Sequence, residues 1–257
     1  MEENKNAPLG AEEREIKPTS SFLSKLENFW YHYKWHSLIA LFLVITITIC
    51  SVQMCSKDEY DCYIMYAGDT AIPHTSSGVS QYTTTFTSLN RVAEDFDENG
   101  EVLVSFSDLY VWTADQMSAY ESENRDDPTA PDLNYSLISQ DTDTLSDRMI
   151  HSEYYLCFLS REVYELYKNK EGLTFFVPLT PYITEGNTYE YTNGDCDGIL
   201  LGSVEGFYKS AGICELPADT VICLRAKNEV FSGFDKQAHE NYYKGAEATL
   251  KNILAFD

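Results

Sequence analysis

The chain has 257 residues, of which 41 are acidic and 18 basic, for a formal net charge of −23. That balance, with no cluster of Lys or Arg, excludes a surface that gathers nucleic-acid phosphates. An apolar content of 44% excludes wholesale disorder, and the length suffices for one ordinary domain with an attached segment.

Residues 1–20 are polar, carry Pro8 and Pro18, and read as a disordered cytoplasmic tail. From Ser21 onward Phe22, Leu26, Phe29, Trp30 and Tyr33 recur at helical spacing, so residues 21–36 are expected to form an amphipathic interfacial helix. Ser37 to Met54 is free of charge. These eighteen residues, extended by Trp35, reach the length a helix needs to cross a bilayer. Phe29, Trp30, Tyr31, Tyr33 and Trp35 crowd one end, as rings at a headgroup layer do. Residues 37–54 are therefore expected to be a transmembrane helix. Lys17, Lys25 and Lys34 precede it, whereas only Lys57 follows before Arg91, which places the N-terminus inside and the C-terminus outside. No small-residue exit site follows the apolar run, and Ile49 and Met54 precede Cys50 and Cys55 where a lipidated cysteine would want a small neighbour. The segment reads as an uncleaved signal anchor.

Residues 56–257 then form an extracytoplasmic domain with 35 acidic and 13 basic residues. Strands are predicted at Asp61–Ala67, Glu101–Val111, Tyr154–Leu159 and Ala218–Arg225, from short apolar runs bounded by turn residues. Helices are predicted at Thr85–Phe96, Leu137–Ile150, from Arg161 after a Ser160 cap to a stop at Gly172, and at His239–Phe256. Glu121–Asp132 reads as a surface loop. Strands alternating with helices imply an α/β domain with a mainly parallel sheet, in which ligands sit at the carboxyl ends of the strands. Five cysteines fall here, an odd count that argues against a disulfide framework; Cys214 and Cys223 are the closest pair in sequence.

Three stretches resemble the extracellular solute-binding proteins of bacterial uptake systems. They are the strand Tyr154-Tyr-Leu-Cys-Phe-Leu159, the capped helix Ser160-Arg-Glu-Val-Tyr-Glu-Leu166 and the exit Gly172-Leu-Thr-Phe-Phe-Val-Pro-Leu179. The strand Val221–Leu224 and the helix Tyr242–Leu254 are similar to a later pair in that family. The layout of a short aromatic-rich helix, one span and an outer α/β domain also resembles single-pass proteins of Gram-positive bacteria. The resemblance implies non-covalent recognition of a small solute.

Catalytic patterns fail one by one. His239-Glu240 opens like a zinc-protease motif, but position 243 is Tyr243. Gly202-Ser-Val-Glu-Gly206 has its serine second rather than central, and no phosphate-cradling or dinucleotide glycine pattern exists. A hydrolase would need a Ser, Cys or carboxylate within hydrogen-bond reach of His74, His151 or His239. No chemistry is expected. Tyr110 and Trp112 at a strand end, with Tyr182 and Tyr189 in a Gly-rich stretch, are the candidate ligand-stacking residues. Asp95, Asp97 and Asn99, followed by Gly100, occupy the first positions of a calcium loop. Position twelve is Phe106 where a bidentate Glu belongs, so a polar helix-to-strand turn is the competing reading. Asn193-Gly-Asp-Cys-Asp-Gly198 carries the same ambiguity. No cofactor is required, with Ca²⁺ the one candidate. Expected partners are membrane lipid and a small solute or envelope protein. The alternative role is an accessory or structural subunit of a membrane transporter complex.

Overall fold

The computed structural model describes residues 21–55, 60–74, 80–96, 98–170, 173–183, 186, 188–227 and 234–256. The chain divides between Asp58 and Glu59 into two compact units. In the first, α1 (Ser21–Cys55) is one uninterrupted helix of 35 residues. Its stretch Phe29–Ser51 is long and apolar enough to cross a membrane, and none of it is buried against protein. Twenty-three residues at about 1.5 Å each match the hydrocarbon thickness. The two threonines inside this stretch hide their hydroxyls by donating back to the helix, Thr46 to the Phe42 carbonyl (2.9 Å) and Thr48 to that of Val44 (2.8 Å). Such bonding keeps the polar groups satisfied where lipid offers no partner.

The second unit is an α/β domain. In chain order its elements are β1 (Cys62–Gly68), α2 (Gln81–Val92), β2 (Val104–Tyr110), α3 (Ala114–Glu123), α4 (Tyr135–His151), β3 (Leu156–Leu159) and α5 (Arg161–Lys168). After a long irregular segment come β4 (Ile199–Leu200), the short α6 (Glu205–Tyr208), β5 (Val221–Leu224) and α7 (Phe234–Leu254). The sheet order is β2-β1-β3-β5-β4. Cys62, Ile64 and Tyr66 of β1 face one core with α2 and α7, while Met65 and Ala67 face a second core with α4 and α5. Both faces of the central strands are thus covered, which is why β1, β3 and β5 read as continuous apolar runs rather than alternating ones.

The sheet is mixed, which corrects the expectation of a mainly parallel one. Strands β1, β2 and β3 are parallel, but β5 runs antiparallel to both β3 and β4. The reason lies in the segment after α5. Phe176 bridges Arg225 at the far end of β5, and β4 later pairs with Val221 and Ile222 at its start. The irregular chain has by then already climbed to the carboxyl end of β3, so β5 enters there and runs back.

The helix α2 begins earlier than its apolar pattern suggests because the Ser80 hydroxyl accepts the Thr83 amide (3.2 Å) and starts the helix there. The turn between α2 and β2 is stapled to β1 by the buried Asp61, whose carboxylate accepts the amides of Phe96 (2.7 Å) and Leu103 (2.8 Å). Helix α7 crosses the start of β1 so closely that a side chain at Gly245 would collide with the Asp61 carbonyl.

Candidate functional site

The carboxyl ends of the three parallel strands are drawn level by two backbone bonds, Val111 N–H to the Gly68 carbonyl and Ser160 N–H to that of Ala67 (2.9 Å each). Helix α2 carries the chain from β1 to β2 over one face, and α4 leads from β2 to β3 over the other. Adjacent strands β1 and β3 therefore flank a topological switch point, where sheets of this kind leave a crevice.

Three helices begin or pass here, and each is fixed by its own chemistry. Thr113 and Gln116 form a reciprocal capping box that starts α3. The Gln116 side-chain amide also donates to Asp69 (3.1 Å), tying α3 to the end of β1. Ser160 caps α5, and the Asp141 carboxylate on α4 accepts the Tyr110 amide (2.8 Å). Between α4 and α5, closed at one end by α3, runs a groove of about 890 Å³. Val111, Trp112, Leu145 and Tyr167 give it an apolar floor; Thr113, Gln116, Glu162 and Lys170 are among its polar walls. The Trp112 ring is set edge-on against Tyr110 (6.1 Å) and Tyr120 (5.3 Å), and its indole N–H is shielded without a hydrogen-bond partner.

The four aromatics anticipated from sequence do not gather in one place. Trp112 lines the groove and Tyr110 packs on it. Tyr182 and Tyr189 belong to the opposite face, where they moor the irregular segment to α7. The Tyr182 hydroxyl donates to Glu247 (2.5 Å), and that of the buried Tyr189 donates to the Leu254 carbonyl. Leu145 comes from α4 and Glu162 and Tyr167 from α5, on either side of β3 in the chain, and no local pattern marks them as lining one groove. A usable signal was the strand-end rule itself, applied to Gly68-Asp69 and Leu159-Ser160.

At the first candidate calcium loop, Asp95 accepts the amides of Asn99 (3.0 Å) and Gly100 (2.7 Å), one on each oxygen, and Asn99 accepts the Glu101 amide (2.7 Å). Glu98 and Gly100 take positive φ, completing a tight turn into β2. Asp97 lies outside the described residues. The second loop is an ion-pair hub. Buried Asp197 accepts from Lys168, from the Tyr164 hydroxyl (2.5 Å) and from Asn193 (3.1 Å), while Asp195 also pairs with Lys168 (2.9 Å). Burial alone would raise the Asp197 carboxyl, but these donors outweigh it and hold the group below the usual carboxylate range.

His74 does have a carboxylate in reach, Asp108 at 2.8 Å, and it stacks on Tyr82 (ring centroids 4.2 Å). Asp108 is on edge strand β2 and His74 in the segment after β1, so the pair lies on the face opposite the groove, and His239 instead bonds the Tyr155 hydroxyl (2.9 Å). Cys214 is exposed and remote from Cys223 in burial; the cysteine that opposes Cys223 across the sheet is Cys157, and both are buried free thiols. Comparison with known protein families, with curated proteins and with solved structures finds no match to the chain. The reading of the site rests on its geometry.

Proposed function

We propose that this protein is a single-pass, membrane-anchored binding module of a bacterial envelope, of solute-binding type. Its outer α/β unit faces away from the cytoplasm and receives a ligand in the groove between α4 and α5. The observation that carries this reading is the groove's position, lined by the residues that follow β2 and β3 at their carboxyl ends, beside a switch point and with Trp112 in its floor. An apolar floor with a few convergent polar groups is the common make-up of a small-molecule site. In this reading the function is recognition without a chemical step.

Orientation has a direct test in a native residue. Cys214 is exposed in the outer unit. A membrane-impermeant maleimide is expected to label the full chain on intact cells, with the signal reduced in Cys214→Ser. Labelling that appears only after the membrane is opened would reverse the topology.

A further inference from the structure

We infer that Cys157 and Cys223 are joined by a disulfide across the sheet, a covalent tie between β3 and β5. The inference rests on the outer placement of the α/β unit, because disulfides persist in an oxidising envelope and not in a reducing cytoplasm. Its own ground is geometric. Strands β3 and β5 run antiparallel, and Cys157 stands directly opposite Cys223 in their register. Two residues further along each chain, the Arg225 amide donates to the Tyr155 carbonyl (2.8 Å). Pairs that exchange backbone bonds recur at every second residue of such a ladder. Cys157 and Cys223 are therefore another such pair, with Cα atoms about 5.5 Å apart. A disulfide needs about 4.4–6.8 Å between the same atoms.

The side chains agree with the backbone. Both lie on the α4–α5 face of the sheet, in one core, and both are 0% exposed. The Cys223 Sγ reaches across the ladder to the Cys157 carbonyl (3.7 Å), while the Cys157 Sγ rests on the carbonyls of Tyr154 (3.7 Å) and Tyr155 (3.8 Å). A thiol is a weak donor, so exchanging these contacts for a covalent bond gives up little. Burial, and then the Cys157 thiol beside it, push the Cys223 thiol well above its usual range. The other thiols of the unit are placed differently. Cys62 packs in the opposite core, Cys196 sits in the loop before β4, and Cys214 is exposed.

Shielded thiols exchange poorly, so the bond forms before the unit has folded. The thiolate of Cys157 or Cys223 attacks one sulfur of an envelope dithiol/disulfide oxidant and leaves a mixed disulfide. The other protein thiolate then displaces the oxidant. One S–S bond breaks in the oxidant and one forms in the protein, while two electrons and the two thiol protons leave with the oxidant as its dithiol. The closed loop contains α5, one wall of the groove, and the irregular segment whose exit sets the direction of β5. Constraining so long a loop in the unfolded chain favours the folded one.

The test counts oxidised thiols in the full chain taken directly from cell membranes. Cells are quenched in acid and free thiols are blocked with N-ethylmaleimide in denaturant. The chain is then reduced and labelled with a polymer-tagged maleimide. The native chain is expected to gain two tags, Cys157→Ala and Cys223→Ala none, and Cys62→Ala, Cys196→Ala and Cys214→Ala two. A peptide map of the unreduced native chain, which needs no variant to fold, is expected to join the segments bearing Cys157 and Cys223. Because the pair is buried, reductant added to the folded chain is expected to release neither thiol until denaturant is present. No tag on the native chain, a bond to any other cysteine, or release without denaturant overturns the inference. Labelling of Cys214 on intact cells separates the two failures. No tag with Cys214 reachable from outside sinks the disulfide alone; no tag with Cys214 reachable only in opened cells sinks the outer placement as well.

Discussion

Replacing Arg225 with Met is expected to destabilise the α/β unit by about 3 kcal/mol or more, lowering its melting temperature by about 6–12 °C. Arg225 follows β5 and is 1% exposed. Its guanidinium donates to the carbonyls of Met149 (3.1 Å), Ser152 and Tyr154 (3.2 Å), and it lies over the Tyr155 ring at 4.5 Å. Met149 and Ser152 belong to the end of α4, whose last carbonyls have no partner within the helix and carry the negative end of its dipole. One buried cation thus replaces water as the cap of α4 and joins it to the sheet. Burial draws the Arg225 pKa down, yet a guanidinium remains charged in proteins. A methionine fills similar volume but strands three acceptors. Lysine keeps the charge and loses the planar fork, so Arg225→Lys is expected to recover less than half of the loss. A denaturation curve showing under 1 kcal/mol lost in Arg225→Met would contradict this assignment.

Lys168→Met carries the second large effect, about 2–3 kcal/mol at neutral pH, and its dependence on pH distinguishes it from simple loss of packing. Lys168 compensates Asp197, which is buried, and Asp195, which is exposed. The folded Asp197 carboxyl lies below its unfolded value, so its stabilising contribution is fully present above the unfolded pKa of about 4 and is lost as pH falls through the folded one. Without Lys168 that depression shrinks. The gap between native and variant is therefore expected to be widest at neutral pH and to close below about pH 4. A gap that stays constant from pH 7 to pH 3 would assign the loss to the aliphatic stem of Lys168.

Strands β1, β3 and β5 of the α/β unit were legible because they are short apolar runs between turn residues, and α5 because Ser160 and an amphipathic face mark it; the two-residue β4 was not. The direction of β5 was not legible, since it depends on where the irregular chain between α5 and β5 comes out. Helix α3 was missed for a physical reason: none of its residues is buried, so it shows no apolar stripe. Its Thr113–Gln116 capping box was the available sign. Arg225 read as the charged end of a strand, because nothing local announces that three carbonyls will surround it. Of the site, Trp112 could be picked out as an aromatic at a strand end. Leu145, Glu162 and Tyr167 could not, because what unites them is that α4 and α5 flank one groove on the same face of the sheet.

The groove as ligand site is tested most directly by melting the full chain in nanodiscs against a panel of amines, amino acids, short peptides and saccharides. Ser146 is exposed on α4 and lines the groove, so Ser146→Arg fills it without touching the core. The prediction is that at least one solute raises the melting temperature of the native chain in a saturable way and leaves Ser146→Arg unmoved. No shift with any solute, or the same shift in both proteins, would contradict it.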